Sequence, residues 1–173
     1  TAVESVDDEI LRKLDKGHTA ADFEAVTRLC GALGLTLAPT FIPFTPWTTA
    51  DGFRRLLDTI EALGLVENVA PVQWSLRLLI SARSRLLELE DVGSLVGEFD
   101  RKALVYPWRH RDPAVDALAE QVSRIVRAGL AARRSRAELF SDVWEAAHGR
   151  PAPVDLRLLP RTVIPYMEEP WFC

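Results

Sequence analysis

The chain has 173 residues, of which 48% are hydrophobic and 27% are charged, and its formal net charge is −4. This length suffices for one sizeable core, and a slight acidic excess gives no general attraction to nucleic acid. No apolar run approaches the roughly 20 residues that span a bilayer. The two cysteines, Cys30 and Cys173, are too few for a metal cage or a disulfide framework. We therefore expect a cytoplasmic protein without nucleic-acid or membrane partners.

The first part of the chain predicts a strand, two helices and a second strand. An apolar stretch ends at Glu4, and a short helix with acidic residues at its start follows and ends at Gly17. Thr19 is placed to cap the second helix, since Asp22 lies three residues later. Residues 35–44 form a nearly continuous apolar run, which is typical of a parallel strand buried on both faces.

The next part predicts a further helix and strand. Thr49 is a candidate N-cap, and the apolar residues that follow repeat at helical spacing until Gly64. In residues 72–80 apolar side chains alternate with mostly polar ones, a pattern that favours a third strand. These predictions together indicate parallel strands joined by helices.

Beyond residue 80 the alternation of strands and helices ends. Helical spacing recurs with Arg-rich polar faces, and a proline-rich stretch closes the sequence. We predict three regions: the strand and helix part at 1–84, a helical extension at 85–148 and an extended tail at 149–173.

Candidate binding residues follow from the predicted topology. Ligands of parallel strand and helix folds collect at the carboxyl ends of the strands, which places Glu4 and Ser5 on the same rim as the segment after residue 43. The Glu4 carboxylate is suited to accept two hydroxyl hydrogen bonds from a ribose. A solvated Glu that caps the next helix is an equal alternative.

Residues 1–84 resemble the second half of a radical S-adenosylmethionine (SAM) barrel, strands four to six. The features that carry this resemblance are a strand ending in a polar residue and a helix that leads to Lys16, Gly17 and His18. The resemblance implies an α/β fold, a partial (β/α) barrel followed by a mostly helical C-terminal region. Because the chain starts inside an apolar run and ends in Trp171, Phe172 and Cys173, we expect a fragment of a longer enzyme, inactive alone.

The resemblance also implies roles for particular residues. Glu4, with Ser5 beside it, would bind the SAM ribose, and Lys16 would meet the methionine carboxylate. Further contacts would come from Thr40 on strand five, from Arg77, and from the backbone at Leu79 and Ile80 beside the adenine. Residues 44–47 replace the Gly-rich turn that many members have after strand five.

A cluster ligand set is absent from the sequence, although the family requires one. Members hold a 4Fe-4S cluster with three closely spaced cysteines, which the resemblance places upstream of Thr1. Flavodoxin or ferredoxin would supply electrons, and the substrate would be an unidentified small molecule or peptide. The ending is similar to that of a subgroup with a Cys-Cys-Ala-Glu-Pro or selenocysteine tail, in which Cys173 would be the first tail cysteine and a candidate catalytic residue.

Two other hypotheses remain open at this level. The first is a helical interaction module on a barrel scaffold, with the aromatic segment around Trp108 and the proline-rich tail as its binding surface. The second is an unrelated barrel enzyme such as an aldolase, which is disfavoured because no lysine sits unambiguously at a strand end as a Schiff-base candidate.

Overall fold

The computed structural model describes residues 1–153 of the chain. Short parallel strands lie among helices in this part, β1 at Ala2–Glu4 and β2 at Thr40–Phe41. The helices of the same residues are α1 (Asp8–Lys13), α2 (Ala20–Ala32), α3 (Ala50–Ala62), α4 (Glu90–Gly93), α5 (Pro113–Ala131) and α6 (Arg136–His148), with 3-10 helices at Pro71–Trp74 and Arg85–Glu88.

The two strands pair with an irregular register. Ala2 lies opposite Thr40, and Glu4 lies opposite Phe41, so one residue of β1 is extra at this point. Such a bulge bends the strand and redirects the side chain next to it. Beyond β2, Phe44 forms an isolated parallel bridge with Arg77.

The prediction of a partial (β/α) barrel is wrong for the residues described. Residues 1–153 form a small helix-rich domain, and the strands within them are three and two residues long. The predicted strand at 35–44 is reduced to Thr40–Phe41, and the predicted strand at 72–80 is not formed. An apolar pattern shows that a segment is buried, but it does not distinguish a strand from other buried backbone.

The segment 72–80 illustrates the physical reason. Pro71 occupies the first turn of the 3-10 helix Pro71–Trp74, where its fixed φ and missing N–H carry no penalty. Trp74 is fully buried, with its ring 5.4 Å from that of Phe140. Val72 and Trp74 are therefore buried in a tight helical turn, and beyond it Arg77 forms an isolated parallel bridge with Phe44.

The predicted helix starts are confirmed where the capping signals were strong. Thr19 caps α2 in a reciprocal capping box with Asp22, and the Thr49 hydroxyl accepts the N–H of Gly52 at the start of α3. Gly64 follows α3 with a left-handed φ of 66°. The predicted helical extension at 85–148 begins with only two short turns, Arg85–Glu88 and α4.

The core is formed mainly by α3, α5 and α6. Leu57 and Ile60 of α3 and Val122 of α5 are fully buried together with Leu139 and Phe140 of α6. None of the helices in residues 1–153 is both long and apolar enough to cross a membrane.

Candidate functional site

Glu4 ends β1 in a backbone conformation that a glutamate rarely adopts. Its φ is 68°, in the left-handed region, where the Cβ atom of an L-residue crowds the carbonyl oxygen. The Glu4 carbonyl oxygen still accepts a hydrogen bond of 2.9 Å from the Ile42 amide, so the residue remains tied to the chain after β2. The bulge and this tie hold the Glu4 side chain at the carboxyl end of the strands.

Lys16 pairs with this glutamate. Its ammonium nitrogen lies 2.9 Å from Glu4 Oε1, and the two side chains are 33% and 15% exposed, respectively. Lys16 is held there by its backbone, because its amide donates to the Leu11 carbonyl at the end of α1. The sequence-predicted ribose and carboxylate ligands are therefore neighbours, with one acidic and one basic group side by side.

Polar contacts of the adjoining backbone complete this corner. The Val3 carbonyl oxygen accepts the Ser5 amide at 2.9 Å and lies 3.1 Å from His18 Nε2. Ser5 is buried, and its hydroxyl accepts a hydrogen bond of 3.1 Å from the Asp7 amide. Ser5 therefore shapes the turn after β1, and His18 fastens the Lys16 turn to the strand.

Thr40 and Arg77 lie in other surroundings. Thr40 pairs with Ala2, at the opposite end of β1 from Glu4, and donates its amide to the Thr1 carbonyl. Arg77 stacks 4.0 Å from the centroid of the Trp108 ring and forms a 2.7 Å ion pair with Asp116. These interactions place neither Thr40 nor Arg77 beside the Glu4 carboxylate.

The remaining predicted contacts are equally separate. Ile80 is fully buried, and its carbonyl oxygen accepts a 2.7 Å hydrogen bond from the Tyr106 amide. Leu79 beside it is 73% exposed. Cys173, the candidate catalytic residue, lies outside the described residues.

A second charged cluster was not predicted from the sequence. Asp91 Oδ2 accepts hydrogen bonds from the Lys13 ammonium at 2.6 Å and from the Trp47 indole N–H at 2.7 Å. The Lys13 contact is the main reason that the pKa of Asp91 is lowered, against the opposing effect of burial. Lys13 and Trp47 are 78 and 44 residues from Asp91 in sequence, respectively, so no local sequence pattern predicts this cluster.

The described residues do not group their potential metal ligands. Within residues 1–153 no group of three or more His, Cys, Asp or Glu side chains is arranged to hold a metal ion. The whole sequence has two cysteines, so a cluster held by three cysteines does not fit this chain's own residues. The Glu4 and Lys16 pair, by contrast, offers an acceptor for hydroxyls next to a donor for a carboxylate.

No family model, curated protein or solved structure matches the chain.

Proposed function

We propose that this chain supplies the SAM-binding edge of a cytoplasmic radical SAM enzyme, with Glu4 on the ribose and Lys16 on the methionine carboxylate. The observation that carries the proposal is the Glu4 backbone, held at a φ of 68° on a bulge and next to Lys16. Residues held in sparsely populated conformations cluster at functional sites, where surrounding contacts maintain them.

The donor set matches the chemistry of SAM. A carboxylate accepts hydrogen bonds from both hydroxyls of a vicinal diol, and an ammonium group pairs with a carboxylate. SAM carries a ribose diol and a methionine carboxylate in one molecule, so both groups of the pair have a partner in the same ligand. A ligand with only one of these features would leave either Glu4 or Lys16 without a new partner.

SAM would replace the contact between Glu4 and Lys16 with contacts of its own. The two side chains are 15% and 33% exposed, respectively, so solvent reaches both groups. Hydrogen bonds to charged groups contribute about 1.5–3 kcal/mol each, and SAM would form at least one with each side chain.

The electron source lies outside this set of residues. Bound SAM would supply the deoxyadenosyl radical that abstracts hydrogen from a substrate, once an electron is delivered to it. The ligands of the expected 4Fe-4S cluster are not among these 173 residues, and flavodoxin or ferredoxin is the reductant we propose. Glu4 and Lys16 would bind and orient SAM, and the substrate would be a small molecule or a peptide.

Binding of SAM to the chain tests this proposal. We expect heteronuclear NMR titration with SAM to shift the backbone signals of Glu4, Lys16 and His18 saturably. Glu4→Gln keeps the shape of the side chain and removes its charge, and we expect it to weaken binding about tenfold, equivalent to one lost charge-assisted hydrogen bond.

A matched control comes from another ion pair of the chain. Glu24 and Arg28 lie 2.8 Å apart on the exposed surface of α2, so Glu24→Gln removes a paired carboxylate from a helix that carries none of the proposed contacts. We expect Glu24→Gln to bind SAM like the wild type. Equal SAM affinity of the wild type and Glu4→Gln, or shifts confined to other residues, would contradict the proposal.

The alternative of an interaction module has less support from the contacts. The Trp108 indole N–H donates to the Leu78 carbonyl at 2.8 Å, and Arg77 covers one face of its ring. Trp108 thus stabilises the loop before α5 from within. The proline-rich tail of that alternative lies largely outside the described residues.

A further inference from the structure

A cavity of about 340 Å³ lies beside the turn that follows β1. Its lining includes the apolar residues Ile10, Pro46 and Leu95 and the aromatic residue Trp47. This volume is at the low end of the range of about 300–1,000 Å³ for small-molecule sites, which favours a small ligand. Asp7, three residues after Glu4, also lines it.

Trp47 is held rigidly where it lines the cavity. Its indole N–H donates to Asp91, and the Lys13 ammonium lies over the ring, 5.0 Å from the centroid. Lys13 itself does not line the cavity. Because the Trp47 ring is already held at its edge and on one face, it offers a preformed surface for a flat apolar group. Binding such a group therefore costs little free energy for ordering the Trp47 side chain.

The charged residues that line the cavity fall into two groups. Asp7 is paired with Arg55 at 3.2 Å, and Asp91 is paired with Lys13. Glu9 and Arg111 also line the cavity, and their charged groups have no side-chain partner among residues 1–153. Two exposed residues around the same cavity therefore carry an unpaired carboxylate and an unpaired guanidinium.

Hydrogen bonds to α5 hold the loop that contains Arg111. The amide of the neighbouring His110 donates to Asp116 Oδ2 at 3.0 Å, while the other carboxylate oxygen of Asp116 accepts from Arg77. Because Asp116 is in the first turn of α5, the helix positions the loop. The backbone next to Arg111 is therefore held in place by α5.

From this arrangement we propose that the cavity binds an aromatic α-amino acid or the aromatic end residue of a short peptide. The aromatic ring packs on Trp47, the ligand ammonium pairs with Glu9, and the ligand carboxylate pairs with Arg111. The binding rests on the cavity alone. The further role of this ligand as the substrate that loses hydrogen rests on the proposed function.

Three probes separate the parts of this recognition: L-phenylalanine, phenylacetate and phenethylamine. The readout is the indole N–H signal of Trp47 in heteronuclear NMR, assigned with Trp47→Phe, on the full chain without SAM. We expect L-phenylalanine to shift this signal saturably.

Glu9→Gln should weaken the binding of L-phenylalanine and phenethylamine about tenfold and leave the binding of phenylacetate unchanged. Arg111→Gln should weaken L-phenylalanine and phenylacetate about tenfold and leave phenethylamine unchanged.

Exposed charges elsewhere provide matched controls. Glu98→Gln and Arg101→Gln remove the same groups from residues that do not line the cavity, and both should bind all three probes like the wild type. The proposal is overturned if L-phenylalanine gives no saturable shift up to ~10 mM, a concentration that detects even millimolar affinity. It is also overturned if Glu9→Gln or Arg111→Gln affects all three probes equally.

The outcome is distinguishable from that of the SAM titration. Failure of SAM to shift Glu4 and Lys16 leaves the amino-acid site standing as a binding site. Failure of L-phenylalanine at Trp47 while SAM binds at Glu4 removes only the cavity ligand.

Discussion

Helices α5 and α6 meet through apolar side chains that are almost entirely buried, whereas the carboxyl end of β1 meets its surroundings through charged groups. In the helical layer, Val122, Leu139 and Phe140 are completely inaccessible. At the strand end, Glu4 holds a left-handed φ and faces Lys16. The difference teaches that the helices supply stability, while the strand end is a site where local conformation is unfavourable and charge is concentrated.

The largest expected effect lies in the helical layer. Phe140→Ala removes a fully buried ring that packs against Trp74 and Trp144, and it should lower the free energy of unfolding by about 3–5 kcal/mol. Leu29→Ala on α2, where the side chain is 59% exposed, should change it by about 0.5 kcal/mol or less. Urea unfolding of both variants measures the difference, and comparable losses would show that the two regions are packed alike.

The same substitution should have opposite signs in α5 and α2. A Cβ atom at Gly129 would come within 1.9 Å of Leu139 Cδ2, so Gly129→Ala should lower the free energy of unfolding by about 1–3 kcal/mol. Nothing lies within 4 Å of a Cβ atom at Gly31, so Gly31→Ala should raise it by about 0.5–1 kcal/mol through helix propensity. Stabilisation by both variants in thermal or urea unfolding would contradict the close contact between α5 and α6.

The strained backbone at the strand end makes a smaller prediction. Glu4→Gly and Glu4→Ala both remove the carboxylate, but only glycine adopts a φ of 68° without steric cost. The glycine variant should therefore be more stable than the alanine variant by about 1–2 kcal/mol. Equal stability in urea unfolding would mean that the backbone relaxes when the Lys16 pair is lost.

The smallest effect concerns acid stability near Trp47. Because Lys13 lowers the pKa of folded Asp91 below its ordinary value of 3.8, this carboxylate stabilises the folded state above that pH, and its contribution is lost as the pH falls through the lowered pKa. Asp91→Asn should therefore be less stable than the wild type near neutral pH, with a gap that narrows in acid. Urea midpoints measured from about pH 5 down to about pH 2 test this, with Glu98→Gln as the control. A stability difference between the wild type and Asp91→Asn that stays constant across this pH range would show that Asp91 does not contribute to the loss of stability in acid.

Local signals explain which elements could be predicted from the sequence. Thr19 and Thr49 cap the helices they were expected to cap, because an N-cap acts on amides two or three residues away. The extents of the strands could not be predicted in the same way, because pairing depends on distant chain. The run at 35–44 forms only two residues of strand, and the 72–80 segment begins inside the 3-10 helix Pro71–Trp74.

The contacts of the candidate site also differ in how far apart their residues lie in sequence. Glu4 and Lys16 are 12 residues apart, and the resemblance assigned them to two groups of one ligand, but their direct ion pair was not predicted. Arg77 was expected at the ligand, but its contacts to Trp108 and Asp116 come from a segment more than 30 residues away. The Trp47 and Asp91 contact joins segments 44 residues apart, and only the folded chain brings them together.

The most direct test of the central claim is the formation of 5′-deoxyadenosine by the protein expressed from its full natural reading frame, reduced in the presence of SAM. The claim predicts that the wild type and the Glu24→Gln control form the product and that Glu4→Gln forms it at least about tenfold more slowly. Absence of 5′-deoxyadenosine from the wild type, or an equal rate for Glu4→Gln, would contradict the assignment of this strand end to SAM.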